Sequence, residues 1–483
     1  MNLTRRSFLV STSALAALGG CRALGFAAGK PRLKFGVISD IHIITPESTD
    51  EFTAALEYFR DHGVDAVVVC GDLTDWGLLS GLKYVADAWN RVFPGNLAPD
   101  GRRVERLFCS GNHDYEGWWY GDMTMEMHAL GYSENEALVR LGFKKCWEEV
   151  FNEPWAPIRR RTVKGYDFIS GEWHGYDKQE GFDLAPAWLT EHSLELAGER
   201  PCFYFQHPPI AETTGDSRRD GHSKPDLSLH QALSRIPNIV TFTGHCHWTF
   251  NDPNSIWQGE FTSIAVPSMS YTTVPRGYEN GSDVRNGKSE RLMPKIDTRP
   301  RLEEAQGYLV SVYDDRLEVE KRDFEQAADA GTWVIPWPPI SPDKPFTTEM
   351  AAAREVVPEF PAGARLSNYT RNFDNRAGKW TIGMCFDFPA AKGDGFRAFD
   401  YEIRAVLRDG QSACMKRFLS PAFHKLPKDE PSAMHFYWDV AELPQDTPYH
   451  FEVYPRNAFG KCGAPLKSAE FRGKPGLGKA VRN

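Results

Sequence analysis

The sequence predicts an α/β layered domain over residues 31–325 and a smaller all-β domain over 347–475, and three observations carry that expectation. From Leu33 to Phe324 short apolar stretches alternate with amphipathic ones, a proline-rich segment interrupts the chain at 335–346, and beyond it apolar residues recur at every second position. Short apolar strands separated by helices belong to a sheet covered on both faces. A chain of 483 residues accommodates such units at roughly 100–200 residues per domain.

Residues 1–30 read as an address. Arg5 and Arg6 precede a charge-free, alanine-rich run ending at Gly20, too short for a membrane-spanning helix. The pattern resembles a twin-arginine export signal. Leu18-Gly19-Gly20-Cys21 also resembles a lipobox, which would make Cys21 an acylated first residue, and cleavage near Ala27 is the alternative. The expected location is therefore periplasmic or outer-surface, with a membrane attachment only through a lipid at Cys21.

Strands are expected at Leu33–Ser39, Ala66–Cys70, Val104–Ser110, Tyr166–Ser170, Cys202–Phe205 and Ile239–Thr243, and helices at Ser48–Asp61, Leu78–Val92 and Pro186–Leu196. Residues 326–346 are expected to link the domains, since the five prolines of 335–346 remove backbone donors and stiffen the chain. Beyond them, period-two alternation at Trp380–Phe388, Phe399–Leu407 and Tyr449–Val453 predicts an antiparallel sandwich. Tyr449-x-Phe451-x-Val453 followed by Asn457-Ala458-Phe459-Gly460 resembles the last hairpin of a fibronectin type III module. Residues 476–483 are expected to be a flexible tail.

A formal charge of −9 offers no global basic field, which disfavours nucleic acid as a partner. The nine cysteines contain no Cys-x-x-Cys pair, so a cysteine zinc site is not expected, and Cys70, Cys109 and Cys202 read as small buried hydrophobes.

Five clusters stand at the ends of expected strands: Asp40-Ile41-His42, Gly71-Asp72, Gly111-Asn112-His113-Asp114, His207-Pro208-Pro209 and Gly244-His245-Cys246-His247. Singly each is ordinary. Their joint order, each after a strand, places them in one crevice at the carboxyl ends of a sheet. Asp40, His42, Asp72, Asn112, His207, His245 and His247 offer oxygen and imidazole donors without thiolate, a set suited to Mn, Fe or Zn. A pair of such ions would need a bridging carboxylate, for which Asp72 is the natural choice, and would acidify a water held between them.

The five blocks, in this order, resemble the calcineurin-like metallophosphoesterase superfamily over residues 33–325. The resemblance implies a four-layer sandwich of two mixed β-sheets flanked by helices, and a dinuclear phosphoesterase. It implies one ion held by Asp40, His42, Asp72 and His247 and a second by Asp72, Asn112, His207 and His245. His113 would act as charge stabiliser or general acid, with Asp114 orienting its ring. Gln206 stands where many relatives carry another histidine, and Cys246 is expected to pack away from the ions. Gly71-Asp72-Leu73-Thr74-Asp75-Trp76-Gly77 resembles the phosphodiesterase version of the second block, which favours a phosphodiester over a phosphomonoester; a purple acid phosphatase would need a tyrosine at Asp75.

Residues 115–200, rich in aromatics, are expected to form a cap with a small core of its own. Trp118, Trp119 and Tyr120 are candidates for stacking on a substrate base or sugar. Two competing readings are a non-catalytic surface protein that binds through its sandwich and a nuclease of the same superfamily with a local basic groove.

Overall fold

A computed structural model describes residues 29–116, 136–173, 184–219, 227–273, 278, 305–339, 344–374, 380–393, 396–445 and 447–470. The leader with Cys21, Trp118, Trp119, Tyr120, Tyr176 and the tail lie outside the described residues. No described helix is long and apolar enough to cross a membrane.

The first sheet comprises β1 (Leu33–Ile38), β2 (Ala66–Cys70), β3 (Glu105–Cys109), β10 (Gln306–Val312), β11 (Arg316–Asp323) and β12 (Ala328–Pro336), in the order β12-β11-β10-β1-β2-β3. The second comprises β4 (Ile158–Val163), β5 (Tyr166–Gly171), β6 (Cys202–Gln206), β7 (Ile239–Thr243), β8 (Ile256–Gln258) and β9 (Thr262–Ala265), in the order β4-β5-β6-β7-β9-β8. Both are mixed: β1–β3 run parallel with β10 antiparallel beside them, and β5, β6, β7 and β9 run parallel between antiparallel edges.

Alternation along the strands explains the layers. On β2, Ala66, Val68 and Cys70 face the second sheet while Val67 and Val69 face helices, so the strand reads as an unbroken apolar run. Phe35 sits at the centre of the inter-sheet core, its ring 5.1, 4.8 and 5.9 Å from those of Phe168, Phe203 and Phe242. Burying such a ring contributes about 1.5–3 kcal/mol. Helices α1 (Asp50–Asp61), α2 (Leu79–Val92) and α4 (Glu136–Phe151) cover the first sheet; Phe52, Ala55, Leu56 and Phe59 of α1 form the inward stripe at helical spacing. A short α3 (Asn112–Glu116) follows β3. Helices α5 (Leu184–Glu191) and α6 (Ser228–Leu233) cover the second sheet, completing the four layers.

Two expectations are corrected. The described parts of 115–200 do not build a separate cap core: Trp147 and Phe151 pack into the core behind the first sheet, and β4 and β5 belong to the second sheet. Residues 328–336, expected in the linker, form edge strand β12, whose only proline is its last residue, where a missing donor is tolerated.

Beyond it, β13 (Ser367–Asp374), β14 (Trp380–Pro389) and β19 (Ala433–Asp439) form one antiparallel sheet. The other runs β18-β17-β20-β21, from β17 (Asp400–Leu407), β18 (Ser412–Leu419), β20 (Tyr449–Arg456) and β21 (Leu466–Lys467), with a small hairpin, β15 (Lys392–Gly393) and β16 (Phe396–Arg397), between the sheets in sequence. Phe386 and Phe388 meet Tyr401, Ile403, Phe451 and Val453 in a shared core, as the period-two pattern predicts.

Candidate metal centre

Each cluster begins where a strand ends, so parallel strands from both sheets deliver their blocks to one edge. The chain leaves those strands by unusual turns. Asp40, His42, Asp72, His245 and His247 have φ of +53°, +46°, +49°, +73° and +47°. For residues with a Cβ this conformation costs about 1–2 kcal/mol each, and it persists only where the surroundings over-determine it. Here loops ladder onto loops: the amides of Asp40 and His42 donate to the carbonyls of Gly71 and Asp72 at 3.1 Å, and Gly244 donates to the His207 carbonyl at 2.8 Å. Close approach also dictates two glycines, since a Cβ at Gly111 would overlap the Asp72 carboxylate and one at Gly244 would overlap Ser39 and Asp40.

The structure brings all seven expected donors together. Asp40, His42, Asp72 and His247 are buried, with ligand atoms within 4.8 Å of one another. On the other side of Asp72, His207 Nε2 lies 3.1 Å from Asp72 Oδ2, 3.0 Å from Asn112 Oδ1 and 3.2 Å from His245 Nδ1. Asp72 thus faces both groups, and its second oxygen accepts from the His113 amide at 2.9 Å.

Hydrogen bonds on the far side of three rings decide what faces inward. His207 Nδ1 is 2.8 Å from the Cys70 carbonyl and His247 Nδ1 is 3.0 Å from the Tyr271 carbonyl; a carbonyl only accepts, so both Nδ1 atoms donate. His42 Nδ1 is 2.8 Å from Asp75 Oδ1. In the neutral rings every Nε2 then presents a lone pair, and the Nε2 atoms of His42 and His247 face each other at 3.1 Å. Lone pairs facing lone pairs and carboxylates are reconciled by a cation between them, so the donor set fits a divalent metal.

The titrations follow burial and the charges packed around each group. Burial pushes the Asp40 carboxyl up. Burial also raises Asp72, but His207 and His113 outweigh it and hold the carboxylate well below its usual range. Burial pulls His207 down, yet Asp72 lifts it to about 9, while burial and then His42 hold His247 well below an ordinary imidazole.

His113 stands beside this cluster, its ring 4.7 Å from that of His42. The expected role of Asp114 is corrected: Asp75 holds the ring, with its carbonyl 2.8 Å and its Oδ1 3.5 Å from Nδ1. Asp114 instead accepts from the amides of Leu73, Thr74 and Gly111 and from the Thr74 hydroxyl at 2.8–3.0 Å, pinning the second block to the third.

Sequence reasoning therefore missed Asp75 as the carboxylate behind His42, a partner that fixes tautomer and ring orientation; its signal was an acid three residues after Asp72. Tyr271, stacked 3.9 Å from His247, and Trp173, 5.9 Å from His245, form walls that no motif marks. Gln206 is structural, bonding Tyr204 and the Pro208 carbonyl. Cys246 turns away into an apolar cluster with Trp248 and Phe423. Arg159 is buried against Glu153 and Glu172 and lies over Trp147.

Residues 33–249 match the family model described as calcineurin-like phosphoesterase, and this stretch is a domain of that kind. Similar solved structures include a dimetal phosphatase from Danio rerio (14% identity, 64% of this chain and 100% of that one, TM-score 0.36). They also include a purple acid phosphatase from yellow lupin seeds (10%, 66% and 55%, 0.38) and GAP50, the anchor in the inner membrane complex of Plasmodium (11%, 67% and 93%, 0.36). At these identities and scores the likenesses carry no argument of their own. No curated protein matches the chain.

Proposed function

We propose that the calcineurin-like phosphoesterase domain serves an exported hydrolase that holds two divalent ions and cleaves a phosphoester, preferring a diester. The observation that carries this reading is the set of committed Nδ1 atoms, which leaves imidazole lone pairs converging on two buried carboxylates. Asp40, His42, Asp72 and His247 would hold one ion, and Asp72, Asn112, His207 and His245 the other, with Mn, Fe or Zn suited to the donors. When bound, such ions supply positive charge for the phosphoryl oxygens and acidify water.

The chain's own residues do the rest. His113, with Nδ1 donating to the Asp75 carbonyl, would act through Nε2, giving the leaving oxygen a proton when the ring is an imidazolium. Its side chain is 19% exposed, against 0–6% for Asp40, His207 and His247, which suits a group that meets substrate. Trp173 stands beside His245 and Tyr271 beside His247. Asp75, in place of a tyrosine, supports the diester preference, and the Arg5-Arg6 leader supports export. The strand order β13-β14-β19 against β18-β17-β20-β21 supports a fibronectin type III-like sandwich.

The test is to purify the chain from residue 30, count metals by elemental analysis, and assay bis-p-nitrophenyl and p-nitrophenyl phosphate after loading with manganese or zinc. Two metals per chain and diester turnover are expected. A protein with both metals bound and no phosphoester hydrolysis would overturn the reading, as would one that cannot be loaded at all.

A further inference from the structure

Between the two histidines of the last block lies Cys246, 2% exposed, and just after them Trp248, 1% exposed. Neither is covered by the domain that carries it alone. Both pack in one cluster with Phe399, Leu419, Phe423 and Ala458 of the C-terminal sandwich. The Trp248 ring meets Phe423 edge-on at 5.3 Å, and Phe423 meets Phe399 edge-on at 5.6 Å. The segment past the site is tied to the same edge, since the Tyr278 hydroxyl lies 2.9 Å from Asp400 Oδ2.

We propose that the sandwich is a brace for the loop 244–248, holding His245 and His247 in position through Phe399 and Phe423. The loop is gripped from two sides. On the inner side the Thr273 amide and hydroxyl donate to the carbonyls of His247 and Cys246 at 2.9 and 2.6 Å. On the outer side, left-handed conformations at His245 and His247 turn the intervening Cys246 into the sandwich cluster. The loop's other holds are polar, the His245 amide donating to Asp40 at 3.1–3.2 Å and the Trp248 indole to Asp252 Oδ2 at 3.1 Å, and the sandwich adds an apolar one from outside. Phe399 and Phe423 are positioning residues, and the proposal rests on reading His245 and His247 as metal ligands.

The test uses the full chain and three variants. Phe423→Ala should weaken manganese(II) binding to the metal-free protein about tenfold, the scale at which supporting residues act on a metal site, and should speed amide exchange at 245–248. Phe423→Leu, which keeps apolar volume, should recover most of both. Val453→Ala, buried in the sandwich core away from the loop, should lower the unfolding midpoint and leave metal affinity and loop exchange unchanged. Unchanged affinity and exchange in Phe423→Ala would overturn the brace, as would an equal loss in Val453→Ala. If Phe423→Ala does not fold, a loss in Phe423→Leu that Val453→Ala does not share supports the brace, and no loss overturns it. Failure of the wild-type chain to bind manganese would sink the metal reading, while amide exchange would still judge the brace.

Discussion

The phosphoesterase domain and the sandwich are both built from alternating apolar strands, yet they treat the left-handed backbone in opposite ways. Among the described residues, all ten non-glycine positions with positive φ precede residue 347, and five of them are expected metal ligands. In the sandwich that conformation is left to Gly363, Gly410 and Gly460. A turn that only has to reverse the chain takes the residue with no Cβ penalty. A turn that has to aim an imidazole or carboxylate cannot, so it accepts the strain and is held by laddered loops and buried neighbours. The contrast holds at the five ligand positions; the other five, Asn96, Asn152, Lys164, Glu212 and Ala327, lie in connecting turns that accept the penalty without aiming a ligand.

The largest effect should come from the shared carboxylate. Asp72→Asn keeps the shape but removes the charge that both donor groups face, and turnover of a phosphodiester should fall by about three orders of magnitude, with lowered metal content by elemental analysis. A folded variant with undiminished turnover would contradict the assignment, whereas a binding protein would keep its partner affinity.

Acid should weaken the sandwich. Burial, with Lys425 and Arg397 adding repulsion, holds His424 down at about 4. Above pH 6.5 neither state is charged; as pH falls, the unfolded chain takes up a proton that the folded one refuses, so stability is lost between pH 6.5 and 4 and then levels off. The loss is at most about 3 kcal/mol, read by denaturant unfolding against pH, and His424→Gln should remove that part of the slope.

Glycine substitutions sharpen the contrast directly. Gly111→Ala drives a methyl group into the Asp72 carboxylate and should destabilise by about 1–3 kcal/mol while lowering metal affinity. Asp75→Asn, which weakens the hold on His42, should lower metal affinity about 10–100-fold with little change in the unfolding midpoint. Smallest is Gly410→Ala: the added methyl meets open space, so only the left-handed penalty of about 1 kcal/mol remains, and metal binding should not change.

Much of this molecule was legible before folding was considered. The strands at 66–70 and 239–243 match their expected bounds, and α1, α2 and four other strands lie within a residue or two, because apolar periodicity is a local property of the chain. The seven donors were legible because each follows a strand. What stayed hidden shares one cause. Asp114 and Asp75 are both acids in motif blocks, and only the packing of the second block against the third decides that one pins backbone amides while the other holds His42 and His113. Likewise Trp147 and Phe151 read as a cap core because nothing local says which sheet α4 covers.

By itself, then, the sequence determined which residues are candidates for metal ligation and where most strands and helices run, since spacing and side-chain type are written in the chain. Tertiary structure alone decided which nitrogen of each ring faces inward, which carboxylate stands behind which histidine, and that the sandwich lies against the loop of His245 and His247. Those choices depend on contacts between segments as much as 205 residues apart in hydrogen bonding and further in packing, and hydrogen-bond direction and packing are properties of the pair in space.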